Sequence, residues 1–271
     1  MTRTLTALLL TLTLAACSRV ELAYENADWL GAWRVGSYLE LDREQRGRLR
    51  EGIAAYQAFH RNHRLPTLNG QLDTVDALIA DPDPARADVE QVFVDSEQIL
   101  RTTVSDMIPL AAEILRDLDA AQIDALAGTL AEGREDYLDR MANEREAQVI
   151  ERTESWVGTL TEAQTQTLEG CVADLPDVTD EWSAWRQQTE QDFLALLRDD
   201  ASQDKVEDFL QAWLLEDEAR SPALQDYRAT SRALWRRCTR TLLTSLTPDQ
   251  RNSARERLAG YRGDLETVAA R

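Results

Sequence analysis

The chain of 271 residues has little lysine, histidine or cysteine: Lys205 is its one lysine, His60 and His63 are its two histidines, and Cys17, Cys171 and Cys238 are its three cysteines. Arginine therefore carries nearly all the positive charge, and 30 basic residues face 49 acidic ones for a formal charge of −19. Such a chain is repelled by nucleic acid, whose phosphates are bound by clustered cations, so no nucleic-acid partner is expected. Only 11 glycines and 7 prolines are present, and runs of alternating β-branched residues are almost absent, so strands are not expected. There is no Gly-rich phosphate loop, no serine-nucleophile motif, no His-Glu-x-x-His and no Asp-x-Asp calcium loop. Catalytic, cofactor-binding and metal-binding residues are accordingly assigned to none. With 43% hydrophobic and 29% charged residues, the body reads as globular rather than disordered or polytopic.

A targeting signal opens the chain. Met1 to Arg3 is a short positive start, Thr4 to Ala16 is apolar with small residues, and Leu14-Ala15-Ala16-Cys17 closes the segment. This apolar run is shorter than the roughly 20 residues a membrane-crossing helix needs, so a removable secretory signal over residues 1–16 is expected. The Leu-Ala-Ala-Cys ending resembles the lipobox of bacterial lipoproteins. The resemblance implies diacylglycerol on Cys17, cleavage before it and acylation of the new amine, which together hold a protein stably on a membrane. Ser18, rather than Asp, follows the cysteine and favours the outer membrane, on the periplasmic face. Cleavage removes one arginine and no acid, leaving 29 basic against 49 acidic residues, or −20. The other reading is a plain signal peptide with a coincidental cysteine.

Two thiols remain, Cys171 and Cys238. Export places them in an oxidising compartment, where a disulfide is the natural pairing; two buried free thiols are the competing reading, since cysteine is often buried unpaired.

Apolar residues recur at three and four positions throughout, and the prolines stand where helices stop or start, which predicts an all-α, multi-helix bundle. Helices are expected near 23–38, 43–63, 67–80, 85–117, 120–156, 162–174, 177–199, 203–219, 222–245 and 248–268, with Pro109 kinking or breaking the fourth. Residues 142–155 are highly charged with little apolar face and are expected to project as a solvated helical arm or hairpin.

One motif recurs four times. Leu41-Asp42-Arg43-Glu44-Gln45, Leu118-Asp119-Ala120-Ala121-Gln122, Leu160-Thr161-Glu162-Ala163-Gln164 and Leu246-Thr247-Pro248-Asp249-Gln250 share Leu, then Asp or Thr, then Gln three further on. Asp or Thr caps a helix N-terminus, and the Gln side chain returns to the cap's own backbone. Asp42, Gln45, Asp119, Gln122, Thr161, Gln164, Thr247 and Gln250 are thus helix-start residues. The leading leucines stand 77, 42 and 86 residues apart, so the motifs bound two halves of an internal duplication, roughly 41–140 and 160–268. Ala77-Leu78-Ile79-Ala80-Asp81 parallels Ala195-Leu196-Leu197-Arg198-Asp199, and Val89-Glu90-Gln91-Val92-Phe93 parallels Val206-Glu207-Asp208-Phe209-Leu210. In this register Cys171 falls on Gly52 and Cys238 on Leu110, so only the second half has a staple. The expected organisation is a signal at 1–16, a lipid anchor and first aromatic helix at 17–40, and helical halves at 41–158 and 159–271 that can pack as a single domain.

Tyr24-Glu25-Asn26-Ala27-Asp28-Trp29, Tyr38-Leu39-Glu40-Leu41-Asp42 with Gln45, and Phe59-His60-Arg61 before Leu65-Pro66 resemble an uncharacterised family of proteobacterial lipoproteins with a domain of unknown function. That family tends to show Trp-His-Arg where this chain has Phe59-His60-Arg61, and it implies a lipoprotein and no activity. The Leu-Thr-x-x-Gln element is also similar to one in small periplasmic stress proteins, including a cradle-shaped chaperone and an inhibitor of an envelope-stress kinase.

His60 and His63 share a helix face at a spacing that suits two metal ligands or, more simply, hydrogen bonds at the helix end. Tyr24, Trp29, Trp33 and Tyr38 follow the anchor, and Trp182, Trp185 and Trp213 recur later; such aromatics fill helix cores, seat a protein at the headgroup level or line grooves for a partner. The expected function is that of a lipid-anchored periplasmic binding protein for envelope proteins or peptides, chaperone-like or accessory to stress sensing or outer-membrane assembly. A carboxylate-dependent cell-wall hydrolase and a non-catalytic spacer are the alternatives.

Overall fold

The computed structural model describes residues 19–270. Among them are twelve α-helices and no strand: α1 (Arg19–Glu25), α2 (Ala27–Tyr38), α3 (Arg43–His63), α4 (Leu65–Ala80), α5 (Arg86–Arg116), α6 (Ala120–Asn143), α7 (Arg145–Val157), α8 (Glu162–Ala173), α9 (Thr179–Arg198), α10 (Gln203–Leu215), α11 (Pro222–Ser245) and α12 (Pro248–Ala269). The chain is an all-α multi-helix bundle.

Four helices, α3, α6, α8 and α12, begin with a complete capping box. In each, the Asp or Thr side chain accepts the N–H of the glutamine, and the glutamine side chain accepts the N–H of the cap. Two otherwise orphaned donors are thereby satisfied at each helix start. Leu41, Leu118, Leu160 and Leu246, one residue before the caps, are all buried, as are Leu49, Leu126, Leu168 and Ala254 eight positions after those leucines. Each motif therefore starts a helix and also turns its apolar stripe inward.

Three helices differ from the periodicity reading. The stretch 120–156 breaks at Glu144 into α6 and α7. The charged second piece is not an arm in solvent: α7 lies against α8 and α12, Val149 and Ile150 pack on a buried cluster, and Trp156 meets Tyr261 of α12 at 5.6 Å. Val157, at the end of α7, is buried in the same cluster. Helix α5 runs through Pro109 without a break. Pro109 and Ser105, whose carbonyl loses its donor, are both exposed, so water replaces the missing bond. The first helix divides at Asn26, whose side-chain amide donates to Leu22 O.

Two main clusters form the interior, and each draws on both halves of the sequence. The first joins Leu41, Leu49, Ile108 and Leu126 to Phe193, Leu197, Leu210 and Trp213. The second joins Leu78, Ile79 and Val89 to Leu160, Leu168, Leu246 and Leu258. Helix α4 packs on α12, and α9 packs on α6, so each half places its middle helices in the other half's core. Ion pairs follow the same exchange. Arg134 and Arg262 each stand fifteen residues after their caps, Asp119 and Thr247; Arg134 binds Glu190 of α9 and Arg262 binds Asp73 of α4. Glu190 is buried and also accepts from Arg186 at 2.5 Å, so its charge is compensated twice over.

Candidate functional site

The motif glutamines meet in pairs. Gln45 Nε2 donates to Gln122 Oε1 at 3.0 Å and Gln122 Nε2 returns to Gln45 Oε1 at 2.7 Å. Gln164 and Gln250 exchange the same two bonds at 2.8 and 2.9 Å. Each amide spends its remaining donor on a backbone carbonyl two residues before the partner's cap: Gln45 on Asp117, Gln122 on Glu40, Gln164 on Ser245 and Gln250 on Thr159. Adding the bond from its own cap, every glutamine oxygen accepts twice and both N–H groups of every nitrogen are used, one of those of Gln164 being shared between Ser245 O and Oγ, which fills the capacity of a primary amide. All four side chains are buried. The two knots have the same connectivity, 77 residues apart in one and 86 in the other. They join α3 to α6 and α8 to α12 and leave no free group for chemistry, so their role is structural. At Glu40 the backbone takes φ 49°, a left-handed conformation that costs a non-glycine residue about 1 kcal/mol, and its carbonyl is the one that serves Gln122.

Cys171 of α8 and Cys238 of α11 are joined in a disulfide, with their Cα atoms 6.3 Å apart. At the corresponding crossing of α3 and α5, a Cβ built on Gly52 would lie 2.2 Å from a methyl carbon of Leu110. One half closes this contact by a covalent bond and the other by packing the Leu110 side chain into the space a Cβ at position 52 would need. Cys17 and residues 1–16 lie outside the described residues.

The histidines are separated by their partners. His60 Nδ1 lies 3.2 Å from the Tyr24 hydroxyl, and that hydroxyl also donates to Gln57 O. Burial holds His60 below the ordinary histidine pKa, against the pull of Asp106 and with the help of Arg64. His63 is exposed, bonded to Phe59 O at 3.0 Å and stacked on the Phe59 ring. Among the described residues no group of three or more His, Cys, Asp or Glu side chains is arranged to hold a metal.

Displaced carboxylates all move one way. Hydrogen bonds from Arg50, Arg255 and Thr179 lower Asp28, Asp76 and Asp177 respectively. Burial raises Asp217, but Arg228, Arg232 and Arg220 together bring it below the usual carboxylate range. These four are held as anions, whereas a general acid needs the opposite displacement.

Two of the concave surfaces among the described residues are lined by several arginines. A groove of about 380 Å³ runs between α2 and α3, walled by Trp29, Trp33 and Leu41 and rimmed by Arg43, Arg46 and Arg50. Trp29 and Trp33 stack at 6.4 Å and 8°, yet each is more than half exposed, at 53% and 54%. Arg50 is held by Asp28 at 2.7 Å. The aromatic spacing on α2 was readable in the sequence, but not its exposure: α2 has only Ala32 and Gly36 as buried residues, so its tryptophans stay outside. A second concavity of about 840 Å³ lies between α5, α8 and α11 and is lined by Arg86, Arg236, Arg237 and Arg240. Sequence reasoning missed it. The available signal was the stripe Arg228, Arg232, Arg236 and Arg240, four residues apart on α11 in an acidic chain.

The fold and these surfaces define a helical protein with structural glutamine knots, one disulfide and two basic concavities. Its sequence belongs to a family of unknown function, DUF6279, whose pattern matches residues 37–228. The match takes in the first three motifs and Cys171 and ends before Cys238 and Gln250. No curated protein and no solved structure matches the chain.

Proposed function

We propose that the chain is a lipoprotein, tethered through Cys17 to the periplasmic face of a bacterial membrane, the outer one favoured, and that it binds envelope polypeptides in a chaperone-like or assembly-accessory role. The observation that carries this reading is the stacked Trp29–Trp33 pair over the groove between α2 and α3. Tryptophan and arginine are enriched at binding hot spots, and tryptophan adds large contact area at low cost in side-chain freedom. Leu22, Leu30, Val35 and Tyr38 add exposed apolar surface to α1 and α2. The rim arginines select an apolar segment flanked by acidic residues, and Arg43 has no hydrogen-bond or ion-pair partner of its own among the described residues. No helix among the described residues is long and apolar enough to cross a membrane, so the lipid is the attachment in this reading. The similarity of the motif to that of periplasmic stress proteins agrees with it.

A photo-crosslinking residue at position 33, in the lipidated full chain within intact envelopes, tests the reading. Crosslinks to defined polypeptides that vanish on Trp29→Ala, with none from the same probe at exposed Leu100, are the expected result. Crosslinks to lipid alone would make the face a membrane seat and overturn it.

A further inference from the structure

We propose that the cavity between α5, α8 and α11 is an anion site that takes a phosphorylated ligand. Its volume, about 840 Å³, falls within the range of small-molecule pockets. Four arginines and two acids, Glu90 and Asp174, line it, and Asp83 lies 3.0 Å from Arg240, so these groups together carry a local charge of +1 in a chain of −19. Beyond a Debye length of about 8 Å the remaining acids are screened, and the wall charge decides which ions enter.

The arginines have capacity to spare. A ladder links α11 to α5 and to the loop before it: Arg240 binds Asp83 of the loop at 3.0 Å, and Arg236 and Arg232 bind Glu90 and Glu97 of α5 at 3.1 and 2.9 Å. Arg240 also donates to Pro84 O. A guanidinium has five N–H donors, so the single bond from Arg236 to Glu90 leaves most of its donors unused. Arg237 is held only by Asp174 at 3.1 Å, a pair in which both side chains are about two-thirds exposed. Such an exposed pair contributes little and is easily exchanged for a ligand oxygen. Arg86, at the start of α5, has no ion-pair or hydrogen-bond partner among the described residues. Ala85, the cap of that 31-residue helix, supplies no side-chain acceptor to its first turn.

Phosphate suits this arrangement because several oxygens can take bidentate arginine bonds at once. Val89 and Leu234 form an apolar part of the wall, which leaves room for the organic body of the ligand. That body can be a soluble metabolite or the glycerol end of a phospholipid; the phosphate chemistry is the same.

The test is calorimetric titration of the full chain in detergent with inorganic pyrophosphate, with short-chain phosphatidylglycerol below its micellar concentration, and with succinate as a carboxylate control. Saturable binding of a phosphate probe is expected, weakened about tenfold or more by Arg86→Gln and by Arg236→Gln and unchanged by Arg198→Gln, which removes the same charge elsewhere. Arg86 has no hydrogen-bond or ion-pair partner among the described residues, so that variant reports binding even where Arg236→Gln disturbs packing. Tighter binding of phosphatidylglycerol than of pyrophosphate assigns a lipid headgroup, and the reverse assigns a soluble phosphate. Absence of saturable binding, equal loss in Arg198→Gln, or equal affinity for succinate would overturn the proposal.

Discussion

Each motif glutamine performs two tasks, and the second was invisible in its own pentapeptide. As a cap partner it closes a helix start; as a knot partner it meets a second glutamine and a distant carbonyl. A buried donor or acceptor left unpaired costs about 1–3 kcal/mol, so Gln45→Ala should destabilise the protein by about 2–3 kcal/mol in urea unfolding. Gln122→Ala should cost the same. Because both belong to one network, the double variant should depart from additivity by more than about 0.5 kcal/mol, while Gln45→Ala combined with Gln250→Ala should add to within that amount. Additivity within the first pair would mean that the glutamines act only as caps. The capping half of this was legible from Leu, Asp or Thr and Gln at fixed spacing, since a cap is closed within four residues. The pairing half was not, because nothing in a pentapeptide says which other pentapeptide it will meet.

Among the helices, α8 has only twelve residues and depends on its neighbours. It is fixed to α11 by the disulfide, with Leu175 and Leu234 packed around the sulfurs. The bond closes a separation of 67 residues, which in the chain-entropy model contributes about 4 kcal/mol. Reduction, or the double variant Cys171→Ser with Cys238→Ser, should lower the melting temperature by roughly 10 °C. Thermal unfolding followed by circular dichroism, with and without reductant, measures this; no change would mean that apolar packing alone fixes α8. Gly52 marks the equivalent crossing of α3 and α5 and needs no bond, since Leu110 fills the space where its side chain would be. The alignment of Cys171 with Gly52 and of Cys238 with Leu110 was readable as a register. That the two pairs occupy matching crossings required the folded helices. Helix ends set by Pro222 and Pro248 were read closely, but the break at Glu144 carries no proline or glycine and went unseen.

For the whole molecule, the exchange of middle helices makes the fold one cooperative unit. Removing residues 159–270 strips Phe193, Leu197, Leu210 and Trp213 from the first core, and removing 19–158 strips Leu78, Ile79 and Val89 from the second. Each fragment would expose a large apolar face. Separately produced fragments should therefore lack a cooperative unfolding transition, and mixing them should restore one at a concentration-dependent temperature below that of the intact chain. A cooperative transition in either fragment alone would show that its helices hold a core without the exchange. Composition, periodicity and the four motifs were enough to establish an all-helical body and the starting residues of four of its helices, because those properties arise within a few turns of chain. The pairing of the glutamines, the exposure of Trp29 and Trp33 and the convergence of four arginines on one cavity were decided only by tertiary structure. They depend on which distant surfaces meet and which donors are left over when they do.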